Sequence, residues 1–507
     1  MLPDKAEALL KETKLGREAA LAECDTYWSR MPPTAARIDT PEPYVNEYLR
    51  RNAQYGELIA QRMPDGRDTN LTGSLVYARM WATPTTMLNT MLLDTMGQHD
   101  AVARYLDSYR AAQGTVKPPG PAYDPHPGYF GGPKALAAID WLSDHGAIMH
   151  AAAYHALVTN DHEFISKWTE PLLKACEFIR HARSLTNHDG VRGVLAPAVA
   201  TDQFVPTQAV WNIGWHYLGL SSTVRLLERL DHPRAAEFAS EAEDYRQVFV
   251  RALREAAEKT PAWRDSQGLE QHMVPTSLSA GGDLFHGFYL DTGPLFLVYA
   301  GLLPADDPLM KSALAFFREG PNHLVFDPHG HFEQPPVLIH ELSSCEPPAS
   351  FNIFHSHQLG DRRRFFEGMY SMLTGAHSQQ TYIASETRGG VAGIAGHIGI
   401  YAVRLCAIDD LVEPDSLHLL RLVPKAWLKS DRQTEFANVP TVFGPVTVRF
   451  GRQDGGSTLA AEYQDKFHHS PRHVRLHVPP VPGITRVIVN GKPIERQAGK
   501  AVDLPQP

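Results

Sequence analysis

The spacing of apolar residues changes once along this chain of 507 residues, near residues 413–417. Before that point apolar side chains recur every three or four residues, as they do in 146–158. After it they alternate with polar or small residues, as in 446–450. The first period is typical of amphipathic helices and the second of half-buried strands. The sequence therefore predicts a long helical part followed by a small β domain.

The helical part consists of repeated segments joined by connections of very unequal length. A charged helix is predicted over 1–25, and the periodicity then predicts helices over 43–62, 84–96, 98–112, 146–158, 163–180, 207–230, 232–258, 286–301, 306–319, 361–374 and 393–408. Gly97 marks one short connection and Asp231-His232-Pro233 another, because glycine and proline end helices. Several helices are therefore expected to form tight hairpins.

Four long loops separate these hairpins and are rich in glycine, proline and aromatic residues: 114–138, 184–206, 260–285 and 320–360. Long loops in a compact domain are usually functional, or they indicate a wrong assignment. A closed ring of hairpins would gather them at one end, over the central axis. We expect the segments 114–145, 195–206, 335–357 and 380–390 to converge there.

The C-terminal part contains several segments whose pattern predicts β-strands. Alternating apolar residues begin at Leu417, Val446, Val474 and Val487, and Asn490-Gly491 is a strong hairpin turn signal. The predicted organisation is an N-terminal helix and connector over 1–40, a helical domain over 41–412 and a β domain over 413–507.

Composition limits the partners of the chain. A net charge of −9 argues against nucleic acid or anionic lipid and suits an uncharged ligand. No apolar run approaches a membrane span and no leader is visible, so a cytoplasmic location is expected. Cys176 and Cys406 lie in apolar helical stretches and are expected to be buried free thiols. The oligomeric state is not indicated.

Three stretches carry a resemblance to a known family: Gly128-Tyr-Phe-Gly-Gly, the loop Leu195-Ala-Pro-Ala-Val-Ala-Thr-Asp202, and the run from Leu417 to Trp427. Together they resemble the six-hairpin glycosidase superfamily, near its α-L-rhamnosidase-like members, over about residues 27–495. The resemblance implies an (α/α)6 barrel, a C-terminal antiparallel β-sandwich and a cleft at one barrel end. It also implies inverting hydrolysis by two carboxylates. The large N-terminal β domain of bigger members is missing from this chain.

Inversion requires a general acid and a general base about 6.5–9.5 Å apart. Loop and helix-start carboxylates are therefore the candidates: Asp140, Asp144, Asp202, Glu341 with Glu346, and Glu386, with Asp291 a weaker one. The favoured pair is Glu386 with either Asp144 or Asp202. The alternatives are that Asp144 and Asp202 cap helices and that Glu386 forms a loop ion pair with Arg388.

Aromatic and basic residues near these carboxylates are candidates for binding the sugar: Tyr129, Phe130, Trp141, His145, Trp211, Trp215 and Arg388. The alternative for Trp211 and Trp215 is a core stripe on one helix face. No recognised spacing of zinc ligands includes His329/His331 or His355/His357. No predicted strand is followed by a glycine-rich nucleotide-binding motif. Neither a metal nor a cofactor is expected.

Two rival hypotheses remain beside hydrolysis. A polysaccharide lyase on a helical toroid would use Tyr129, His145, His340 and Arg388, although the chain has no basic cluster. A barrel that only binds carbohydrate is the other, because the N-terminal β domain is missing.

Overall fold

We describe the protein from a computed structural model, which covers residues 6–74, 77–200, 204–279, 293–320, 351–375, 380–382, 391–392, 397–429, 432–495 and 500–504. Its helices are α1 (Ala6–Leu15), α2 (Arg17–Trp28), α3 (Pro43–Leu58), α4 (Ala82–Leu88), α5 (His99–Ala112), α6 (Ser143–Thr159), α7 (His162–Ser184), α8 (Val210–Arg229), α9 (Ala235–Ala257), α10 (Phe296–Tyr299), α11 (Pro308–Glu319), α12 (Asn352–Leu359), α13 (Arg362–Gly375) and α14 (His397–Ala407). A π-helical segment, Asn89–Asp94, continues α4.

Burial divides the helices from α3 onward into two alternating sets. The inner helices α4 with its π segment, α6, α8, α10, α12 and α14 are buried over nearly their whole length. Outer helices such as α5, α9 and α11 bury only one stripe of residues at helical spacing. Six outer–inner pairs therefore form an (α/α)6 barrel, as the resemblance implies.

The inner helices lie side by side in a ring. Trp215 of α8 packs on Phe296 of α10 with ring centroids 4.7 Å apart. Tyr299 of α10 meets Phe354 of α12 at 4.5 Å, and Phe354 in turn meets Tyr401 of α14 at 6.3 Å. Helix α14 lies against the π segment, which closes the ring.

Two glycines allow the closest approach in this ring. A Cβ on Gly146 of α6 would lie 2.2 Å from the backbone oxygen of Trp215, and one on Gly219 would lie 2.5 Å from the Gly146 oxygen. Farther along, His150 Nδ1 lies 2.8 Å from Ser222 Oγ. Helices α6 and α8 therefore run parallel in direct backbone contact.

Connection length distinguishes the two ends of the barrel. The connections that enter inner helices are long and span residues 59–81, 113–142, 185–209, 258–295, 320–351 and 376–396. The connections that leave inner helices are short and span 95–98, 160–161, 230–234, 300–307 and 360–361. The long connections therefore belong to the end at which the inner helices begin.

The strands are β1 (Arg37–Asp39), β2 (Ala60–Arg62), β3 (Asp68–Asn70), β4 (Gly73–Ser74), β5 (Ala262–Arg264), β6 (Glu270–His272), β7 (Val391–Ala392), β8 (Ile408–Asp409), β9 (Ser416–Leu419), β10 (Thr434–Val439), β11 (Val446–Gln453), β12 (Thr458–Asp465), β13 (His473–Leu476), β14 (Arg486–Val489), β15 (Lys492–Pro493) and β16 (Val502–Asp503). The C-terminal part contains two sheets, ordered β1-β10-β11-β12-β14-β15 and β16-β13-β9-β8. Asn490 and Gly491 both have positive φ in the β14–β15 hairpin, as their turn signal predicts.

The structure differs from the sequence prediction in four places. Helix α12 lies inside the predicted loop 320–360, and the predicted N-terminal helix is broken at Gly16. Two strand pairs, β12 with β14 and β9 with β13, are parallel in a domain predicted to be antiparallel. Strand β8 directly follows α14, so the β part begins at Ile408 rather than near 413.

One strand of the C-terminal sheet comes from the other end of the chain. Strand β1, from the predicted connector, pairs antiparallel with β10, and Ile38 lies opposite Phe436. All the helices of the barrel lie between these two strands in the sequence. The predicted connector is therefore a structural part of the C-terminal sheet.

Buried polar contacts attach the β part to the end of the barrel with the short connections. Arg404 of α14 forms a fully buried ion pair with Asp410 and donates to the Pro440 oxygen at 2.9 Å. Asp410 also accepts a hydrogen bond from the Val442 amide at 2.9 Å. Cys176 and Cys406 are buried free thiols, as predicted. No helix in the described part of the chain is long and apolar enough to cross a membrane.

Candidate active site at the end of the barrel with the long loops

The described residues of five of the long connections, 59–81, 113–142, 185–209, 258–295 and 376–396, contact one another or the adjoining helix start at their end of the barrel. The joining contacts are Met80 N to Leu136 O (3.0 Å), Leu142 N to Val199 O (2.9 Å), Val210 N to Thr276 O (2.9 Å) and the antiparallel pairing of β4 with β7. The predicted convergence of 114–145 with 195–206 is confirmed for their described residues. Most of 335–357 and of 380–390 lies outside the described part of the chain.

Asp144 is buried at this end of the barrel, where it accepts hydrogen bonds from two other segments. Its Oδ1 accepts hydrogen bonds from the amide and the hydroxyl of Thr83, at 2.8 and 2.7 Å, and its Oδ2 accepts one from the Trp141 amide at 3.1 Å. Only 1% of its surface is exposed. Asp144 therefore fixes the start of α6 to the start of α4, and we reassign this candidate from catalysis to structure.

The stability of the protein should depend on the charge of Asp144. Burial raises the pKa of Asp144 to about 7, against about 3.9 in an unfolded chain. Between these values only the folded state holds the proton, so stability falls by up to about 1.4 kcal/mol per pH unit as the pH rises. We expect the unfolding free energy of the wild type minus that of Asp144→Asn to fall from pH 4 to 7. Above pH 7 it should stay constant.

Denaturant titrations of both proteins at each pH test this expectation, because titrating groups that do not interact with Asp144 cancel in the difference. A difference that rises with pH would mean that the three hydrogen bonds keep Asp144 ionised in the folded protein.

Asp140 occupies a different environment in the same loop. Its side chain is half-buried, and no hydrogen bond reaches its buried Oδ1 from the described residues. Burial raises the pKa of this carboxyl, and the charge of Lys134 lowers it by less. A partly exposed carboxyl with a raised pKa is suited to donate its proton to a ligand.

Partly exposed aromatic residues lie in the loop that carries Asp140 and in the loop that pairs with it. Trp141 follows Asp140 directly, and the hydrogen bond from the Ala138 amide to the Met80 oxygen (2.8 Å) places Trp81 beside the same loop. The ring of Tyr77 lies 5.6 Å from the ring of Trp81. Tyr77 and Trp81 could not be identified from the sequence, because the pairing of their loop with the loop of Asp140 joins distant segments. Such rings can stack on the C–H faces of a sugar.

Tyr129, Phe130 and His145 belong to the core. Tyr129 and Phe130 have no exposed surface, and the ring of His145 stacks on Tyr129 with centroids 5.6 Å apart. His145 accepts a hydrogen bond from the Phe130 amide through Nδ1 (3.0 Å) and donates to the Ala175 oxygen through Nε2 (3.2 Å). Burial holds the pKa of His145 well below its usual value. These residues present no face to a ligand, which corrects the prediction that they line a pocket.

Trp211 and Trp215 also pack inside the barrel. They are 5% and 1% exposed, and both rings contact Phe296 of α10 at centroid distances of 4.9 and 4.7 Å. Trp211 and Trp215 are therefore core residues on one face of the helix, and the prediction that they bind the sugar is wrong.

The other predicted site residues, Asp202, Glu341, Glu386 and Arg388, lie outside the described residues. Among the described residues, one group of three metal-ligand side chains occurs: Asp94, His99 and His155. It lies at the opposite end of the barrel, with the short connections.

Comparison with known proteins identifies the fold. Neither a protein-family model nor a curated protein sequence matches the chain. The chain is similar to the solved glycoside hydrolase family 78 rhamnosidase of Bacillus sp. GL1, with a TM-score of 0.55 and 12% identity over 90% of this chain and 44% of that one. It is also similar to the α-L-rhamnosidase from Dictyoglumus thermophilum, with a TM-score of 0.50 and 12% identity over 93% and 49% of the two chains.

These similarities establish the class of fold. The chain has a six-hairpin glycosidase fold, as its sequence resemblance implies. It spans less than half the length of either rhamnosidase.

Proposed function

We propose that the protein is a glycoside hydrolase that cleaves an O-glycosidic bond of an oligo- or polysaccharide with inversion. The observation that carries this proposal is Asp140, a half-buried carboxyl next to Trp141 where the long loops of a six-hairpin barrel meet. In this proposal Asp140 is the general acid. The general base is one of the three predicted loop carboxylates, Glu386, Asp202 or Glu341.

The environment of Asp140 supports the acid role. Burial raises the pKa of this carboxyl, which favours the protonated form that a general acid needs to give a proton to the leaving oxygen. The second carboxylate would activate a water on the opposite face of the sugar, across a gap of about 6.5–9.5 Å. Trp81, Trp141 and Tyr77 would hold the ring of the sugar in place.

Stereochemistry of the product tests the proposal. A panel of aryl glycosides and oligosaccharides should start with α-L-rhamnosides, because both structural neighbours reported above are rhamnosidases. We expect one member of the panel to be hydrolysed and proton NMR to detect the inverted anomer first. A first product of retained configuration would contradict the two-carboxylate inverting mechanism.

The lyase hypothesis loses support from the packing. Two of the residues it would use, Tyr129 and His145, are buried against each other. An unsaturated product that absorbs in the ultraviolet would nevertheless favour a lyase. Oligosaccharide binding with no turnover over days at high protein concentration would favour a barrel that only binds carbohydrate.

A further inference from the structure

Three metal-ligand side chains from separate elements meet at the end of the barrel with the short connections. Asp94 ends the π-helical segment, His99 begins α5, and His155 lies near the end of α6. Their ligand atoms all lie within 4.8 Å of one another. The three residues do not form a short sequence motif, because His155 lies 61 residues after Asp94.

The distances between these atoms suit a small divalent cation. His99 Nδ1 lies 2.8 Å from Asp94 Oδ1, and His155 Nδ1 lies 2.9 Å from Oδ1 and 3.2 Å from Oδ2. Zinc bonds of about 2.0–2.1 Å place tetrahedral ligands about 3.3 Å apart. The two histidine–aspartate spacings therefore need to open by only about half an ångström to admit an ion, and the two histidine nitrogens lie within 4.8 Å of each other.

The surroundings fix two of the ligands and leave the third accessible. The side chains of Asp94 and His155 are 0% and 2% exposed, and the ring of Phe164 packs against His155 at 4.4 Å. His99 is 13% exposed. The π-helical turn that carries Asp94 is a distortion often found at functional sites.

A route for the ion is also present. His99 lines a cavity of about 970 Å³ together with Met96, Gln98, Trp28 at the end of α2 and Met31 of the connector. This cavity gives an ion access from the surface to His99, past which the ion would reach Asp94 and His155, which do not line the cavity. It also leaves room for a water molecule as the fourth ligand.

We propose that Asp94, His99 and His155 bind one zinc-type divalent ion, with water in the fourth position. The ion would join the π segment, α5 and α6, and would therefore stabilise the first two hairpins of the barrel. This proposal does not depend on the proposed hydrolase activity, which belongs to the other end of the barrel.

Metal titration of the chelator-treated full chain tests the proposal. We expect calorimetry with Zn²⁺ to give one site per chain, and Co²⁺ to give the visible absorption of a tetrahedral complex. His99→Gln should weaken Zn²⁺ binding at least about 100-fold, since even residues that support a ligand contribute 10–100-fold. Zn²⁺ should raise the melting temperature of the wild type and not that of the variant.

His162→Gln is the matched control, because His162 is an exposed histidine at the start of α7 and outside the group. It should bind Zn²⁺ like the wild type. Circular dichroism of the metal-free variants checks their folding, and Asp94→Asn provides an isosteric second variant. Equal binding by the wild type and His99→Gln, or no binding by the wild type, would overturn the proposal and leave a hydrogen-bonded His–Asp–His group.

Discussion

Asp140→Asn should reduce kcat/KM on a glycoside with a poor leaving group by about 100- to 10,000-fold, the usual contribution of a general acid. The loss should be much smaller on an aryl glycoside whose leaving group needs no protonation. We expect the wild-type rate to fall at high pH as Asp140 loses its proton, and this limb of the pH profile should be absent from the variant. Steady-state kinetics on the two substrates across pH measure both effects.

Asp124→Asn is the matched control for this experiment. Asp124 lies in the same long loop as Asp140, and its side chain is exposed. It should keep the activity and the pH profile of the wild type. An equal loss by Asp140→Asn on both kinds of substrate would remove Asp140 from the acid role and leave the glycosidase proposal to the other carboxylates.

Gly146→Ala should destabilise the barrel by about 3 kcal/mol or more, at the upper end of the usual cost of overpacking. The added Cβ would lie 2.2 Å from the Trp215 oxygen and 2.5 Å from the His216 nitrogen. Both atoms belong to the backbone of α8, so neither can move without shifting that helix. Denaturant unfolding and the yield of soluble protein would measure the effect.

Gly56→Ala in α3 separates this steric effect from the replacement of glycine itself. The atom nearest to its new Cβ is Leu93 Cδ2, at 2.7 Å, which is the movable end of a side chain. Alanine also favours a helix by about 1 kcal/mol over glycine. We expect the stability of Gly56→Ala to remain within about 1 kcal/mol of the wild type. A loss as large as that of Gly146→Ala would contradict the backbone-contact explanation.

Local patterns predict the architecture well, because each helix carries its own periodicity. The hairpins, the long loops at one end and the Asn490-Gly491 turn all follow from residues close together in sequence. Helix α12 was missed because it has only eight residues inside a long predicted loop. The parallel strand pairs were missed because a strand's alternation does not identify its partner.

The site was predicted less well because its geometry depends on distant partners. Asp144 was considered as a helix cap, yet two of its three hydrogen bonds come from Thr83, 61 residues away. The helical spacing of Trp211 and Trp215, four residues apart, is equally typical of a core stripe and of a platform for a sugar. Only the packing against Phe296 distinguishes the two.

The pairing of β1 with β10 has a consequence for how the protein is made. Arg37 and Glu435, on these two strands, are 398 residues apart, so a ribosome adding 5–20 residues per second needs roughly 20–80 s to supply the partner strand. During that time β1 has no strand to pair with, while the barrel helices can already fold. Its length of three residues and the preceding Pro32-Pro33 reduce the risk that this edge pairs with another nascent chain.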